Sequence, residues 1–343
     1  MAKNLLAWYD KERRHLPWRS APGETANPYH VWLSEVMLQQ TTVATVKSYF
    51  EKFLRLWPSV TDLAQAPQEA VLKEWAGLGY YARARNLHKC AREIEANYSG
   101  QFPTTEAELK KLPGIGDYTA AAIAAIAFDE PAAVVDGNIE RVVSRLFRIE
   151  EQLPAAKKPI KAKTADITPT KRPGDFAQAM MDLGSGVCTP KNPKCLLCPI
   201  QSHCAAQSAG DMERFPIKAP KKIKPTRRAV SFWLEHDGHV LLERRPDKGL
   251  LGGMPGFFST PWVECDSTPE LSEAAAHAPA DTDWQAGADI AKHTFTHFHL
   301  ETRLLKGQAI QRINVENGFW HPIDALSDVG LPTVFSKIAK LAD

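Results

Sequence analysis

One carboxylate, Glu35, lies within an otherwise mostly apolar stretch, VWLSEVML, at residues 31–38. Apolar surroundings disfavour the charged form of a carboxyl, so we expect the pKa of Glu35 to be raised. Such a side chain can hold a proton near neutral pH and donate it to a leaving group. The alternative is a buried acid that only pairs with a basic side chain.

A second carboxylate, Asp136, begins the turn-like sequence Asp-Gly-Asn within VVDGNIERV, residues 134–142. Taken alone, this pattern predicts that Asp136 is the N-cap of a helix. Together with Glu35, it supplies the pair of carboxyl groups that glycosidic bond cleavage usually needs. The two residues are therefore candidates for acid catalysis and for stabilising a cation.

Four of the six cysteines fall within seventeen residues, in the pattern Cys188-x6-Cys195-x2-Cys198-x5-Cys204. In a reducing compartment such crowding favours metal ligation over disulfide bonds. Four thiolates in one short loop can hold an iron–sulfur cluster or a single zinc ion. The spacing favours the cluster, with a structural role preferred over electron transfer.

Two further segments have features of DNA contact. LPGIGDYTA, residues 112–120, predicts a helix-hairpin-helix, in which Gly114 and Gly116 let the backbone approach a phosphate. An ordinary turn between helices is the alternative. GLGYYARARN, residues 77–86, combines aromatic rings with Arg83 and could insert into a base stack. Here the alternative is a core tyrosine beside a solvated arginine face.

The composition sets the frame for these residues. A length of 343 residues predicts two domains at roughly 150 residues each, and 44% hydrophobic residues is typical of a globular protein. A net charge of +2 neither indicates nor excludes nucleic acid as a partner. The N-terminus lacks a signal-peptide core, and the apolar run at 120–128 is too short to span a bilayer. We expect a soluble, cytoplasmic protein.

The first two-thirds of the chain has helical patterns and no convincing alternation of strand type before residue 228. Residues 105–112 and 118–128 predict two helices joined by PGIGD. The segment 155–173 is too polar for the boundaries of a helix to be set. We therefore expect an all-α domain at residues 1–217.

The composition and the hydrophobic pattern of the sequence change after this region. Residues 218–228, KAPKKIKPTRR, are basic and punctuated by proline, which predicts a linker. Residues 229–245 predict two strands around a turn at Asp237-Gly238, and residues 293–305 give another strand signal. We expect a smaller α+β domain at residues 229–343.

Taken together, these motifs resemble the MutY family of adenine DNA glycosylases, within the helix-hairpin-helix superfamily that includes endonuclease III. The resemblance covers residues 1 to about 205 in family order, and HTFTHFHL, residues 293–300, resembles the NUDIX-like C-terminal domain of the family. The matching motifs are LPWR (16–19), SEVMLQQT (34–41), GLGYYARARNLHK (77–89), LPGIGDYTA, VVDGN-x-x-RV, QAMMDLGSGVC (178–188) and the cysteine loop.

The resemblance implies a fold and a function. The fold is an all-α helix-hairpin-helix glycosylase domain with a [4Fe-4S] cluster held at 188–204, followed by a small NUDIX-like α+β domain. The function is base excision repair by a monomer that acts on double-stranded DNA in the bacterial nucleoid. The enzyme would flip out adenine mispaired with 8-oxoguanine or guanine, hydrolyse its N-glycosidic bond and leave an abasic site.

The resemblance also implies roles for individual residues. Glu35 corresponds to the general acid that protonates N7 of adenine, and Asp136 to the carboxylate that stabilises the sugar cation or attacks it. Tyr118 and Asn138 assist in the same site. The implied DNA contacts are Leu38, Gln39, Gln40, Thr41, Tyr80, Arg83, Gly114 and Gly116, with Gln40 and Tyr80 entering the base stack. Phe295, Thr296 and His297 correspond to the loop that senses 8-oxoguanine.

Two departures from related enzymes refine the prediction. Tyr118 stands where bifunctional relatives carry a lysine nucleophile, so we expect a monofunctional glycosylase. No NUDIX hydrolase signature follows residues 249–258, where Leu251 replaces a frequent aromatic, so we expect recognition without nucleotide hydrolysis. The competing hypotheses are an endonuclease III-like enzyme for oxidised pyrimidines and a non-catalytic, DNA-bound iron–sulfur redox sensor.

Overall fold

The computed structural model describes residues 1–220, 223–246 and 249–342. The chain divides into two compact units, one of residues 1–78 and 83–220, the other beginning at residue 221 and grouped with residues 79–82. Across the described residues, no helix is long and apolar enough to cross a membrane.

The first unit is helical, as predicted, and no strand precedes Thr226 in the part of the chain that is described. Short 3₁₀ turns lie at Cys195–Leu197, Gln201–His203 and Met212–Arg214. The α-helices are α1 (Ala2–Glu12), α2 (Pro28–Leu38), α3 (Val43–Leu56), α4 (Val60–Gln65), α5 (Gln68–Trp75), α6 (Ala82–Tyr98), α7 (Glu106–Leu109), α8 (Asp117–Phe128), α9 (Gly137–Leu146), α10 (Lys157–Ile167), α11 (Pro173–Gly186) and α12 (Ala205–Ala209).

Helix α8 lies at the centre of this unit. Its sequence is apolar on every side and most of it is buried, which is typical of a core helix. Both α2 and α11 pack on it. Its many alanines allow close approach, and Gly174 of α11 lies so near that an added Cβ would be 2.4 Å from the carbonyl oxygen of Ala125.

Helix α2 carries Glu35 into this core. Asn27 caps the helix by accepting a hydrogen bond from the backbone N–H of Tyr29 at 2.9 Å, and Pro28 occupies the first turn. The helix ends at Leu38, and Gln40 then adopts a left-handed conformation with φ 60°. Residues 31–37 are buried, so the apolar sequence around Glu35 forces the carboxyl inside.

One helical prediction needs correction, and the structure sets the helix boundaries that the sequence left open in the segment 155–173. The predicted helix 105–112 is only Glu106–Leu109 long, because Thr105 caps its start and the chain turns before the hairpin glycine Gly114. The polar segment 155–173 does contain a helix, α10. The helix is polar because most of its side chains are exposed to solvent; its buried side chains are those of Ile160 and Thr164.

The second unit is built on a mixed sheet with strand order β3-β2-β1-β6-β5, in which β4 pairs with β1 and β7 with β2. Strands β1 and β6 are parallel and the other pairs are antiparallel. The strands are β1 (Thr226–His236), β2 (His239–Arg244), β3 (Pro255–Gly256), β4 (Val263–Glu264), β5 (Gln285–Thr294), β6 (His299–Gln308) and β7 (Gly318–Pro322), with helices α13 (Leu271–Ala275) and α14 (Thr333–Ala339).

Strand β1 is buried on both faces. Trp233 packs in a cluster with Phe257 and Phe335, while Phe232 packs in another cluster that contains Trp284. A strand with a core on both sides has a nearly continuous apolar sequence, and AVSFWL, residues 229–234, is such a sequence.

The predicted turn at Asp237-Gly238 joins β1 to β2 as expected. The predicted linker 218–228 extends too far, because residues 226–228 pair in register with residues 299–301 of β6. Lys221 and Lys222 of that linker lie outside the described residues. The signal at 293–305 spans the end of β5, a loop and part of β6, so it marks a hairpin instead of one strand.

The packing of α11 on α8 can be tested at Gly174. We expect Gly174→Ala to lower the free energy of unfolding by about 1–3 kcal/mol, because the new methyl group would meet main-chain atoms that cannot rotate away. The matched control is Gly186→Ala at the end of the same helix, where an added Cβ meets nothing within 4 Å. Denaturant unfolding followed by far-ultraviolet circular dichroism measures both. Equal effects at the two positions would contradict the close packing.

Candidate active site

Glu35 is buried, with 6% of its surface exposed, and Tyr118 in the first turn of α8 donates its hydroxyl to Glu35 Oε2 at 2.6 Å. Burial raises the pKa of Glu35 to about 7. The hydrogen bond from Tyr118 and the charge of Arg19 oppose this rise, while the charge of Asp136 adds to it. Glu35 can therefore hold a proton near neutral pH.

Asp136 caps α9, as the sequence predicts. Its Oδ1 accepts a hydrogen bond from the backbone N–H of Ile139 at 2.7 Å, and its Oδ2 accepts one from Asn138 Nδ2 at 2.9 Å. These two bonds fix the orientation of the carboxylate.

Both carboxyl groups line one open cleft of about 450 Å³, together with Tyr118 and Asn138. This volume lies in the range of about 300–1,000 Å³ that is typical of small-molecule sites. One carboxyl that holds a proton and a second, oriented carboxyl in one cleft can assist the cleavage of a glycosidic bond.

The structure adds three residues to which the sequence assigned no role. Asp182, which is 3% exposed, accepts hydrogen bonds from Arg14 Nε at 2.5 Å and from Arg19 Nη1 and Nη2 at 2.6 and 2.9 Å. Burial alone would raise the pKa of Asp182, but the bonds from Arg19 lower it below its usual range. Both arginines line the cleft. The motifs LPWR and QAMMDLG contain Arg19 and Asp182, but the pairing of these two residues across 163 positions has no local signature.

The last residue of α2 and the three residues that follow it line the cleft. Leu38, Gln39, Gln40 and Thr41 line it, and Gln39 Nε2 donates to Thr119 Oγ1 at 3.3 Å. The side chain of Gln40 is exposed.

Two other predicted DNA contacts lie elsewhere. The guanidinium group of Arg83 does not line the cleft and instead donates to carbonyl oxygens at the end of α2, including Val36 O at 3.0 Å and Met37 O at 3.1 Å. Tyr80 is 56% exposed, in the short segment that groups with the second unit.

The predicted hairpin is present. Gly114 has φ 75°, which favours glycine, and an added Cβ there would lie 2.7 Å from Asn86 Cβ. Gly116 precedes the first turn of α8, and a Cβ at this position would meet nothing within 4 Å. A phosphate oxygen can therefore approach the free N–H groups at the start of this helix.

The four clustered cysteines form no disulfide bond. Burial first, and then the negative charges of Cys188, Cys204 and Cys195, raise the pKa of Cys198 to about 11, as expected for thiolates in one group. Arg145, which is 1% exposed, holds the loop by donating to Thr189 O at 2.7 Å, Pro190 O at 2.9 Å and Cys188 Sγ at 3.4 Å.

The donor set fits an iron–sulfur cluster, which binds cysteine thiolates. When bound, such a cluster would cross-link a loop that has little core of its own.

Arg141 joins this loop to the cleft. Its guanidinium group donates to Cys188 O at 2.8 Å, Gly184 O at 2.6 Å and Asn138 Oδ1 at 3.0 Å. Asn138 in turn donates to Asp136.

In the second unit, Phe295 is the first residue of the predicted recognition loop, directly after β5. Its ring lies 4.6–5.6 Å from the rings of His293, Phe298 and Trp262. Thr296 and His297 are exposed in the turn between β5 and β6. The aromatic cluster thus anchors one residue of the loop and leaves the next two accessible.

Comparisons with family models match three parts of the chain. Residues 33–169 match the HhH-GPD superfamily of base excision DNA repair proteins, residues 188–204 match the iron–sulfur binding domain of endonuclease III, and residues 229–341 match the NUDIX domain. These matches confirm the predicted helix-hairpin-helix domain, the iron–sulfur loop and the NUDIX-like domain.

Individual relatives agree. Adenine DNA glycosylase of Homo sapiens is 33% identical and the alignment covers 98% of this chain and 73% of the relative. Adenine DNA glycosylase of Buchnera aphidicola from Schizaphis graminum is 31% identical, with 98% and 97% covered. The solved structure of a thermostable thymine-DNA glycosylase has a TM-score of 0.54 and 29% identity, with 61% of this chain and 95% of that chain covered.

The raised pKa of Glu35 predicts a specific dependence of stability on pH. The folded protein releases this proton near pH 7 and the unfolded chain near pH 4.5, so the folded state binds more protons between these values. The free energy of unfolding therefore falls as pH rises through this window, and the loss is complete above pH 7.

We expect Glu35→Gln to abolish this loss while keeping an oxygen that accepts from Tyr118. Relative to wild type, the variant should gain about 3 kcal/mol of stability between pH 4.5 and pH 8.5. Unfolding midpoints across this range measure the difference, with Glu51→Gln, at an exposed position on α3, as the control. A difference that stays constant with pH would show that Glu35 is not perturbed.

Proposed function

We propose that the target of this protein is adenine mispaired with 8-oxoguanine or guanine in double-stranded DNA. The chain belongs to the adenine DNA glycosylases of base excision repair. The observation that carries the proposal is the pairing of two unlike carboxyl groups in one cleft. Glu35 is buried and holds a proton near neutral pH, while Asp136 is partly exposed and held by Asn138 and the start of α9. Such a pair divides the work of acid and charge stabiliser.

In this proposal Glu35 donates its proton to N7 of adenine, which makes the base a better leaving group. Tyr118 fixes the carboxyl through its hydroxyl hydrogen bond. As the glycosidic bond breaks, the sugar becomes a cation, and Asp136 stabilises it electrostatically or bonds to it covalently. Water then completes the hydrolysis and leaves an abasic site.

The adenine must leave the base stack to reach the cleft, at a cost of a few kcal/mol. We propose that Gln40 and Tyr80 enter the vacated stack and offset part of this cost, because both side chains are exposed. Leu38, Gln39 and Thr41 lie beside Gln40. The hairpin residues Gly114 and Gly116 hold the DNA backbone through main-chain N–H groups.

The second unit is proposed to recognise 8-oxoguanine through Phe295, Thr296 and His297, without hydrolysing nucleotides. The aromatic packing of Phe295 orders the loop, and the exposed Thr296 and His297 provide polar groups. Leu251 packs on the apolar core of this unit and offers no ring for stacking.

We propose that the cluster is of the [4Fe-4S] type, bound by Cys188, Cys195, Cys198 and Cys204, and that its role is structural. The glycosylase domain would comprise residues 1–217 and the recognition domain residues 229–343. We further propose that the protein acts as a monomer in the cytoplasm, associated with the nucleoid.

Base release from a synthetic duplex with one adenine opposite 8-oxoguanine, under single turnover, tests the enzymatic proposal. We expect strand cleavage only after alkali, because Tyr118 has no amine and forms no Schiff base with the sugar. A:G should be processed and A:T should serve as the control. Glu35→Gln should lose base release and keep DNA binding.

Other outcomes would overturn this proposal. A borohydride-trapped adduct on most of the enzyme would contradict monofunctional chemistry. A folded, cluster-bearing protein that releases no adenine would favour oxidised pyrimidines as substrates. A Glu35→Gln variant that keeps the function of the wild-type protein would favour the hypothesis of a non-catalytic redox sensor.

The structural role of the cluster is tested with Cys198→Ser. We expect loss of iron absorbance, a lower melting temperature and weaker DNA binding, because three thiolates cannot complete the ligand set. Cys265→Ser, outside the loop, is the control and should keep the iron and sulfide content of one [4Fe-4S] cluster. An iron-free Cys198→Ser protein with full stability and activity would contradict the structural role.

A further inference from the structure

The guanidinium group of Arg83 clamps two separate segments of the first unit. From α6, its Nη1 donates to Val36 O at 3.0 Å, to Met37 O at 3.1 Å and also to Gln39 O. Its Nη2 donates to Thr41 Oγ1 at 3.2 Å and to Leu78 O at 3.0 Å. One side chain therefore holds the end of α2, the residues that follow it, and the residue that lies two before Tyr80.

The end of α2 needs such a partner. The last carbonyl oxygens of a helix receive no hydrogen bond from an N–H group of the same helix. Here the chain also passes, soon after the helix ends, into the left-handed conformation of Gln40. A left-handed non-glycine residue costs about 1 kcal/mol or more and persists only where its surroundings determine it. The hydrogen bonds from Arg83 to Gln39 and Thr41, on either side of Gln40, provide this determination.

We infer that Arg83 is a positioning residue that sets Gln40 and the approach to Tyr80 for entry into the base stack. The inference rests on the proposed function, in which these two side chains replace the extruded adenine. Arg83 was predicted from the sequence to contact DNA itself. Its bonds to the protein assign it instead to the geometry of the residues that do.

Arginine is required for this role by its shape. Five N–H donors in a planar fork reach carbonyl groups in different directions, whereas the single ammonium group of lysine cannot. The guanidinium plane also lies over the ring of Trp75, with 5.3 Å between Arg83 Cζ and the ring centroid. Arg83→Lys thus keeps the charge and removes the clamp.

The test compares wild type with Arg83→Lys, using Arg92→Lys at an exposed position of the same helix as the matched control. The first readout is the single-turnover rate of adenine release opposite 8-oxoguanine as a function of pH. The second is the fluorescence of 2-aminopurine placed beside the target adenine, which reports unstacking before chemistry. The third is the rate on a duplex with a one-nucleotide gap beside the target adenine, which keeps 8-oxoguanine opposite the adenine and leaves little stacking to be replaced.

We expect Arg83→Lys to reduce the rate by about tenfold to a hundredfold on the intact duplex, because small displacements of positioning groups have effects of this size. The pH profile should keep its shape, since Glu35 still holds its proton. The 2-aminopurine signal should fall, and the loss relative to wild type should shrink to less than about threefold on the gapped duplex.

Three results would overturn the inference: an unchanged rate in Arg83→Lys, an equal loss on intact and gapped duplexes, or a shifted pH profile with normal unstacking. If Arg83→Lys does not fold, Thr41→Val removes one acceptor of the clamp and should give the same pattern more weakly, with Thr41→Ser restoring it. Failure of wild type to release adenine would instead count against the proposed function, while the fluorescence comparison still tests the clamp.

Discussion

The site depends on a carboxyl that is buried without a cation bound directly to it. Among the described contacts, Glu35 receives a side-chain hydrogen bond from the neutral hydroxyl of Tyr118, and its raised pKa is caused first by burial. A direct ion pair with Arg19 would lower that pKa and remove the proton. Asp182 prevents this, because it binds two guanidinium groups, those of Arg14 and Arg19, through short hydrogen bonds. The carboxylate of Asp182 thus offsets part of the positive charge beside the acid.

The helices make this arrangement possible. The alanines of α8 let α2 and α11 pack closely on it, so that Glu35 from α2, Tyr118 from α8 and Gln178 from α11 line one cleft. The turn before α8 presents Gly114 and Gly116, so the helix that orients the acid also begins at the predicted phosphate contact. In the proposed function, helix α8 would therefore link the catalytic acid to the DNA contact.

Features with local causes were predictable from the sequence. An acid in an apolar helix, an Asp-Gly-Asn cap and an Asp-Gly turn each reflect interactions within a few residues, and all three appear as expected at Glu35, Asp136 and Asp237. Features that depend on distant partners were not predictable. The bonds of Asp182 to Arg19 and of Arg83 to α2 join residues 163 and about 45 positions apart. The strand signal at residues 293–305 failed because period-two alternation continues across a hairpin and does not mark its turn.

The most direct test of the central claim is a titration of Glu35 itself, by ¹³C NMR of protein labelled at the glutamate carboxyl carbon. The signal is assigned by its loss in Glu35→Gln. Our account predicts a midpoint near pH 7 for this one carboxyl, moving upward in Tyr118→Phe because the hydrogen bond that lowers the pKa is lost. A midpoint near pH 4.5 would show that burial does not hold the proton, and the proposed role of Glu35 as general acid would fail.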